Sequence, residues 1–244
     1  KKKFNKVIFI GLGKEPNSKD IINAFRSFFK SNKKKLSGEI VIDLKGIVEL
    51  AELIANGIPL ASYDIGMLKT REEEETNVFN NGSTFSFWIT ANQEEKIQSS
   101  ISKGLATAET QMNIMALVDA PANYKTPKMI ADYIKKSGKE NGFKVTVYDE
   151  KECLEKGFHA LLAVGKGSIE NPAKMVVMEY TSKNADVKKV GLVGKGVTFD
   201  TGGVSLKPGS GMEDMKMDMG GSAAVIGTME LAAKLKSNVH LIGI

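Results

Sequence analysis

Cysteine and histidine are scarce in this chain, and each scarcity closes off a class of protein. Its 244 residues hold one cysteine, Cys153, so no intrachain disulfide can form. A lone cysteine fits a reducing compartment, and a cytoplasmic location is expected. Two histidines, His159 and His240, are too few for a zinc site built on imidazole ligands. No apolar run approaches the roughly 20 residues that a membrane-spanning helix needs. The lysine-rich start leads straight into a short strand-like run, which is not the pattern of a secretory signal. Charge of one sign is not in large excess. The formal net charge of +5 is spread over Lys1–Lys3, Lys33–Lys35 and isolated lysines with few aromatics between them, so nucleic acid is not an expected partner.

What remains is an ordinary globular composition, 42% hydrophobic and 26% charged, long enough for one large domain or two smaller ones. The first part reads as strands alternating with helices, the pattern of a layered α/β domain. "KVIFIGLG" (6–13) reads as a strand ending in a glycine turn. A helix with apolar residues at Ile21, Ile22, Phe25, Phe28 and Phe29 follows, with Ser18 as its expected cap. "EIVIDL" (39–44) and "GSTFSFWIT" (82–90) read as strands. Between them a second helix is expected to stop near Gly57, and "REEEE" (71–75) to be a solvated loop. A connecting helix is expected over 92–116, with Gly104 as its one breaker. After the two prolines of "DAPANYKTP" (119–127) a second α/β run begins. It comprises a helix, strand "FKVTVYD", a short helix at Cys153, strands "ALLAVG" (160–165), "KMVVMEYT" and "KKVGLVG", a helix near 220–235 and strand "NVHLIGI" (238–244). That last strand is expected to be an unprotected edge. The fold class expected is two α/β domains, each a mixed sheet flanked by helices.

Two glycine motifs fail on inspection. "GLGKEP" (11–16) follows a strand-like run, but Pro16 stands where a dinucleotide fingerprint needs its third glycine. "GLVGKG" (191–196) lacks phosphate-loop spacing, and Gly196 replaces the hydroxyl residue that would meet magnesium. The stretch "VGKGVTFDTGGVSLKPGSGMEDMKMDMGG" (193–221) is more informative. It sets Lys195, Asp200, Lys207 and Asp218 on glycine-rich turns between apolar segments. Carboxylate oxygens suit divalent cations, and shared carboxylates suit paired cations. An aspartate before a helix is also an ordinary cap, and that reading of Asp218 stays open. From chemistry alone the stretch reads as a metal or anion site, and Lys195 would not be chosen as a ligand, because an ammonium has no free lone pair.

At this stretch the chain resembles the leucine aminopeptidase (cytosol aminopeptidase) family of two-metal peptidases. "LVDAPANYKTP" (117–127) resembles the segment that opens the family's catalytic domain, with Asp119 where asparagine is usual. "FHALLAVGKGSIENPAKMVVMEY" (158–180) resembles the strand–loop–strand that precedes its metal segment. The resemblance implies an N-terminal, macro-domain-like α/β domain over 1–91, the connecting helix over 92–116, and the first part of a catalytic domain over 117–244. It implies two divalent metals, zinc or manganese. Lys195 becomes a neutral-amine ligand, Asp200 the bridging carboxylate and Asp218 a further ligand. Lys207 becomes the catalytic, substrate-contacting lysine, and Met215 a wall of the pocket for the N-terminal side chain. Peptides with leucine-like N-termini are the implied substrates, and a homohexamer the implied assembly. The family's second metal segment, with its Asp, Glu and bicarbonate-holding Arg, has no equivalent in these residues. The expectation is therefore a catalytic domain that continues beyond residue 244, with 1–244 alone inactive. The alternative is a truncated, inactive subunit that binds or assembles.

Overall fold

The computed structural model describes residues 4–70, 76–90, 93–184 and 186–244; the acidic run 71–75 lies outside them. The chain divides into two compact units, 1–112 and 113–244, both α/β.

In the first unit, α1 (Ser18–Asn32) starts on a reciprocal cap. Asp20 N–H donates to Asn17 Oδ1, and Asn17 N–H donates to Asp20 Oδ2, both at 3.1 Å. The cap is thus Asn17 rather than Ser18, because only position 17 has an acidic partner three residues on. Strands β1 (Glu39–Asp43) and β2 (Thr84–Trp88) pair in parallel from Glu39↔Thr84 to Asp43↔Trp88. A 3-10 turn (Val48–Leu50) leads into α2 (Ala51–Leu60). Gly57 does not end α2. It lies inside the helix, where a Cβ would stand 2.5 Å from the Ile22 carbonyl oxygen, so glycine here permits close approach of α1. Phe25 and Phe29 of α1, Ile54 and Ile58 of α2, Ile42 and Leu44 form the buried core. Phe85 meets Phe29 edge-on with centroids 5.5 Å apart. Residues 6–13 form no ladder among the described residues. Phe9 is 93% exposed while Ile10 and Leu12 lean on the core. An extended apolar run becomes a strand only where a neighbouring strand takes its N–H and C=O groups.

Helix α3 (Glu94–Asp119) begins in the first unit and ends in the second. Gly104 does not interrupt it. A side chain there would run into the Glu52 carbonyl of α2, and Asn56 beside it donates to Gln111 at 2.8 Å.

The second unit holds α4 (Pro127–Asn141), β3 (Lys144–Tyr148), α5 (Glu150–Glu155), α6 (His159–Gly165), β4 (Met175–Tyr180), β5 (Lys189–Leu192), α7 (Gly220–Lys234) and β6 (His240–Gly243). Its four strands lie in the order β3-β4-β6-β5, antiparallel except for β5 with β6. Two expectations fail here. "ALLAVG" is the helix α6 and not a strand. Six such residues cannot distinguish the two by period, and β3 and β4 already pair directly across it. "NVHLIGI" is no edge, since β6 is flanked by β4 and β5 and the edges are β3 and β5. The core joins Ile226 and Met229 of α7, Ile130 and Ile134 of α4, Met178 and Tyr180 of β4, and Leu241 of β6. Within it the buried Glu230 carboxylate accepts from Ser137 Oγ at 2.7 Å, tying α7 to α4. Cys153 is buried, and burial pushes its thiol up from its usual range, so it serves as a core residue. No helix among the described residues is long and apolar enough to cross a membrane.

Candidate metal and substrate centre

The site lies where β5 ends and α7 begins. These two backbones meet without side chains between them. A Cβ on Gly194 would stand 2.5 Å from Ser222 Cα, and one on Gly221 would stand 2.9 Å from the Lys195 nitrogen. Two glycines thus let the chain leaving β5 lie against the first turn of α7. Ser222 N–H holds it there by donating to the Lys195 carbonyl at 2.9 Å, while Gly194 N–H donates to the Ile244 carbonyl at 2.8 Å and continues the pairing of β5 with β6.

Lys195 leaves this junction and meets Asp218, which stands just before α7. Lys195 Nζ lies 2.8 Å from Asp218 Oδ2. The contact is an ion pair whose angles fall outside hydrogen-bonding geometry, and Oδ2 is shielded from solvent. The Asp218 carboxylate holds the Lys195 ammonium above its usual range, so in this arrangement the lysine is charged. Asp218 is not a helix cap. The N-cap of α7 is Met219, and no side chain caps that end.

Asp200 and Lys207 form the second pair. Lys207 Nζ donates to Asp200 Oδ2 at 2.8 Å and reaches Met215 Sδ at 3.0 Å. Asp200 Oδ1 accepts the Gly202 N–H at 2.9 Å. The Lys207 ammonium, then that N–H, hold the Asp200 carboxyl below the usual range. Gly202 and Gly203 have φ of 94° and 90°, which glycine alone adopts freely. The turn they make brings Lys207 N–H to the Thr201 carbonyl at 2.9 Å. The two pairs sense each other: the Asp200 charge raises Lys195, and the Lys195 charge lowers Asp200.

The structure therefore brings Lys195, Asp200, Lys207, Met215 and Asp218 to one place. Among the described residues no group of three or more His, Cys, Asp or Glu side chains forms a metal cluster. The donor set is two carboxylates and an amine, each carboxylate neutralised by a lysine. A divalent cation fits this chemistry, because Asp218 Oδ2 is screened from water and both carboxylates already face a cationic group. Lys195 joins the set only after losing its proton, which a cation beside Asp218 would promote.

Sequence reasoning missed the second layer. Lys125 is fully buried, and its Nζ donates to the carbonyls of Leu117 and Val118 at 3.2 and 2.5 Å. Burial and the charge of Lys216 bring its pKa down to about 8. Lys216 Nζ donates to the Asp119 carbonyl at 2.9 Å. Pro121 was the available signal: it withdraws an N–H from the end of α3 and leaves carbonyls in need of donors.

Comparison with known proteins shows which family the chain belongs to. Residues 113–244 match the cytosol aminopeptidase family, catalytic domain, and residues 1–72 match the N-terminal domain of that family. A probable cytosol aminopeptidase of Chloroherpeton thalassium is 36% identical over 99% of this chain and 51% of its own length. One from Chlorobaculum tepidum is 33% identical over 100% of this chain and 51% of its own. The chain thus spans about half the length of the curated relatives it matches. Among solved structures, the bottromycin maturation enzyme BotP in complex with Mn superposes with a TM-score of 0.78. It is 28% identical and covers 96% of this chain and 49% of its own.

Proposed function

Since the chain belongs to the cytosol aminopeptidase family, we propose that it forms part of a cytoplasmic metallo-aminopeptidase. This enzyme releases leucine-like N-terminal residues from peptides. Residues 1–91 are its N-terminal domain, 92–116 the connecting helix and 117–244 the first part of its catalytic domain. The observation that carries the reading is the pair of linked lysine–aspartate contacts, Lys195–Asp218 and Lys207–Asp200, at the junction of β5 and α7. Lys195, Asp200 and Asp218 would hold divalent cations, zinc or manganese, two in the complete site, with Asp200 shared between them. Manganese in BotP supports that choice of ion. When bound, such ions polarise a peptide carbonyl and lower the pKa of water.

The chain's own residues supply the rest. Lys207, which pairs with Asp200 at 2.8 Å, would carry its positive charge to the oxygen on which negative charge grows. Its contact with Met215 fixes where that charge stands, and the Met215 side chain offers an apolar, pliable wall to the N-terminal residue. Gly202 holds Asp200 through its N–H, so the carboxylate is oriented before any cation arrives. The resemblance further supports a homohexamer and a bicarbonate held by residues outside these. Residues 1–244 by themselves carry three donors and are expected to bind at most one cation weakly and to lack turnover.

The test is Asp200→Ala in the full-length protein, assayed on leucine p-nitroanilide with metal content measured in parallel. Activity should fall to below roughly a hundredth of wild type, as with removal of a group essential to preorganised charge. Substantial turnover with metals still bound would sink the bridging role. A wild-type protein that binds peptides but never hydrolyses them would put a binding or assembly subunit in its place.

A further inference from the structure

The last carbonyls of a helix have no partner within it, and α3 exposes this need sharply. Ala120 N–H donates to the Ala116 carbonyl at 3.0 Å, the last bond of that series. Pro121 brings no N–H for Leu117. The carbonyls of Leu117, Val118 and Asp119 are met instead by two ammonium groups. Lys125 takes the first two, and Lys216 takes the third at 2.9 Å. The two cations crowd one helix end, where the partial negative charge of the backbone is concentrated.

Lys125 is six residues beyond the end of α3 and is a local cap. Lys216 is 97 positions from Asp119, so its bond reaches across the unit. It belongs to the 3-10 turn Met212–Met217, between Met215 and Asp218. That turn is poorly supported from within. Met212 N–H reaches the Gly209 carbonyl at 3.2 Å. Asp214 N–H reaches Gly211, and Asp218 N–H reaches Met215, each at 3.3 Å. These are long for N–H···O bonds, whereas the Lys216 contact is short and charge-assisted. We propose that Lys216 is a positioning residue, whose bond to the Asp119 carbonyl holds the 212–218 turn so that Asp218 and Met215 face the site. The proposal rests on Asp218 being a metal ligand, as read above. It assigns Lys216 no contact with substrate or cation.

The test uses the full-length protein, with Mn²⁺ as the probe in calorimetry and amide hydrogen exchange of residues 212–218 read on the metal-free form. Lys216→Met should bind Mn²⁺ about tenfold more weakly, the lower end of what loss of a ligand-orienting contact costs. Its amides at 212–218 should exchange faster. Lys216→Arg should restore both. Lys125→Met should change neither by more than about twofold, because it caps α3 without touching the turn. Equal weakening by Lys125→Met and Lys216→Met would mean that both merely cap α3, and would overturn the proposal. So would wild-type affinity in Lys216→Met. Where Lys216→Met fails to fold, Lys216→Gln carries the same comparison with a shorter, uncharged donor. Asp218→Asn separates the two levels: wild-type affinity there removes the metal reading itself, whereas loss there with no loss in Lys216→Met removes only this inference.

Discussion

The two units use glycine for the same purpose and reach different ends. In the first, Gly57 and Gly104 sit inside helices and let α1 and α3 close onto α2. What lies around them is apolar, apart from the Asn56–Gln111 bond, and the result is a buried hydrophobic core. In the second, Gly194 and Gly221 bring a strand end against a helix start, and what lies around them is charged. A close backbone approach inside two helices buries their faces. The same approach at the end of a strand releases the chain into open loops beside a helix N-terminus, where side chains can converge on a ligand. Close packing supplies rigidity in both units, but only the strand-to-helix junction offers directions for five side chains to meet.

Three changes should sharpen or break that contrast. The largest effect is expected from Lys207→Ala in the full-length protein. Turnover should fall about 10²- to 10³-fold, the usual cost of one preorganised electrostatic donor, while bound metal is retained. A metal content that falls in step with the rate would make Lys207 a support for Asp200 and not a substrate-facing charge.

Next are the glycines themselves. Gly194→Ala and Gly104→Ala each force a Cβ onto backbone atoms, and each should cost about 1–3 kcal/mol by overpacking. Denaturant unfolding should show similar losses for both. Metal affinity should separate them, falling in Gly194→Ala and holding in Gly104→Ala. If both variants bind metal equally well, the junction is no more than a packing contact.

The smallest effect is a pH dependence. Lys125 has a folded pKa of about 8 against its ordinary 10.5. Between those values the unfolded chain holds more protons than the folded one, so stability from this group rises with pH from about 8 to about 10.5 and is flat below. Tyr133 acts in the opposite sense at higher pH, since burial and Glu230 hold its hydroxyl up, so the measurement is a difference between proteins. Urea unfolding of wild type and Lys125→Met, compared at about pH 8 and about pH 10, should show the rise in wild type alone. A parallel course in both would mean that Lys125 is solvated in solution.

Patterning made most elements legible. The 3.6-residue spacing of Ile21, Phe25 and Phe29, and the strand runs at 39–44 and 82–90, correspond to α1, β1 and β2. The charged residues of 193–221 were also legible, because glycines and alternating charges between apolar segments mark a loop with chemistry. Failures came where the deciding partner lay far along the chain. Residues 6–13 and 160–165 are apolar enough for strands, but a strand needs a neighbour with free backbone groups, and no local pattern shows whether one is there. Gly57 and Gly104 looked like breakers because the Ile22 and Glu52 carbonyls that require them are 35 and 52 positions away.

By itself, then, the sequence determined the α/β alternation, the family resemblance and the identities of Lys195, Asp200, Lys207, Met215 and Asp218. These depend on residue type and short spacing, which local backbone preference and side-chain chemistry control. Only the tertiary structure decided that β6 is an inner strand, that Lys195 pairs with Asp218 and Lys207 with Asp200, and that Lys216 reaches the end of α3. Those outcomes depend on which groups burial leaves without water. A carboxylate or carbonyl removed from solvent takes the nearest cation that packing brings to it, and packing is a property of the whole unit.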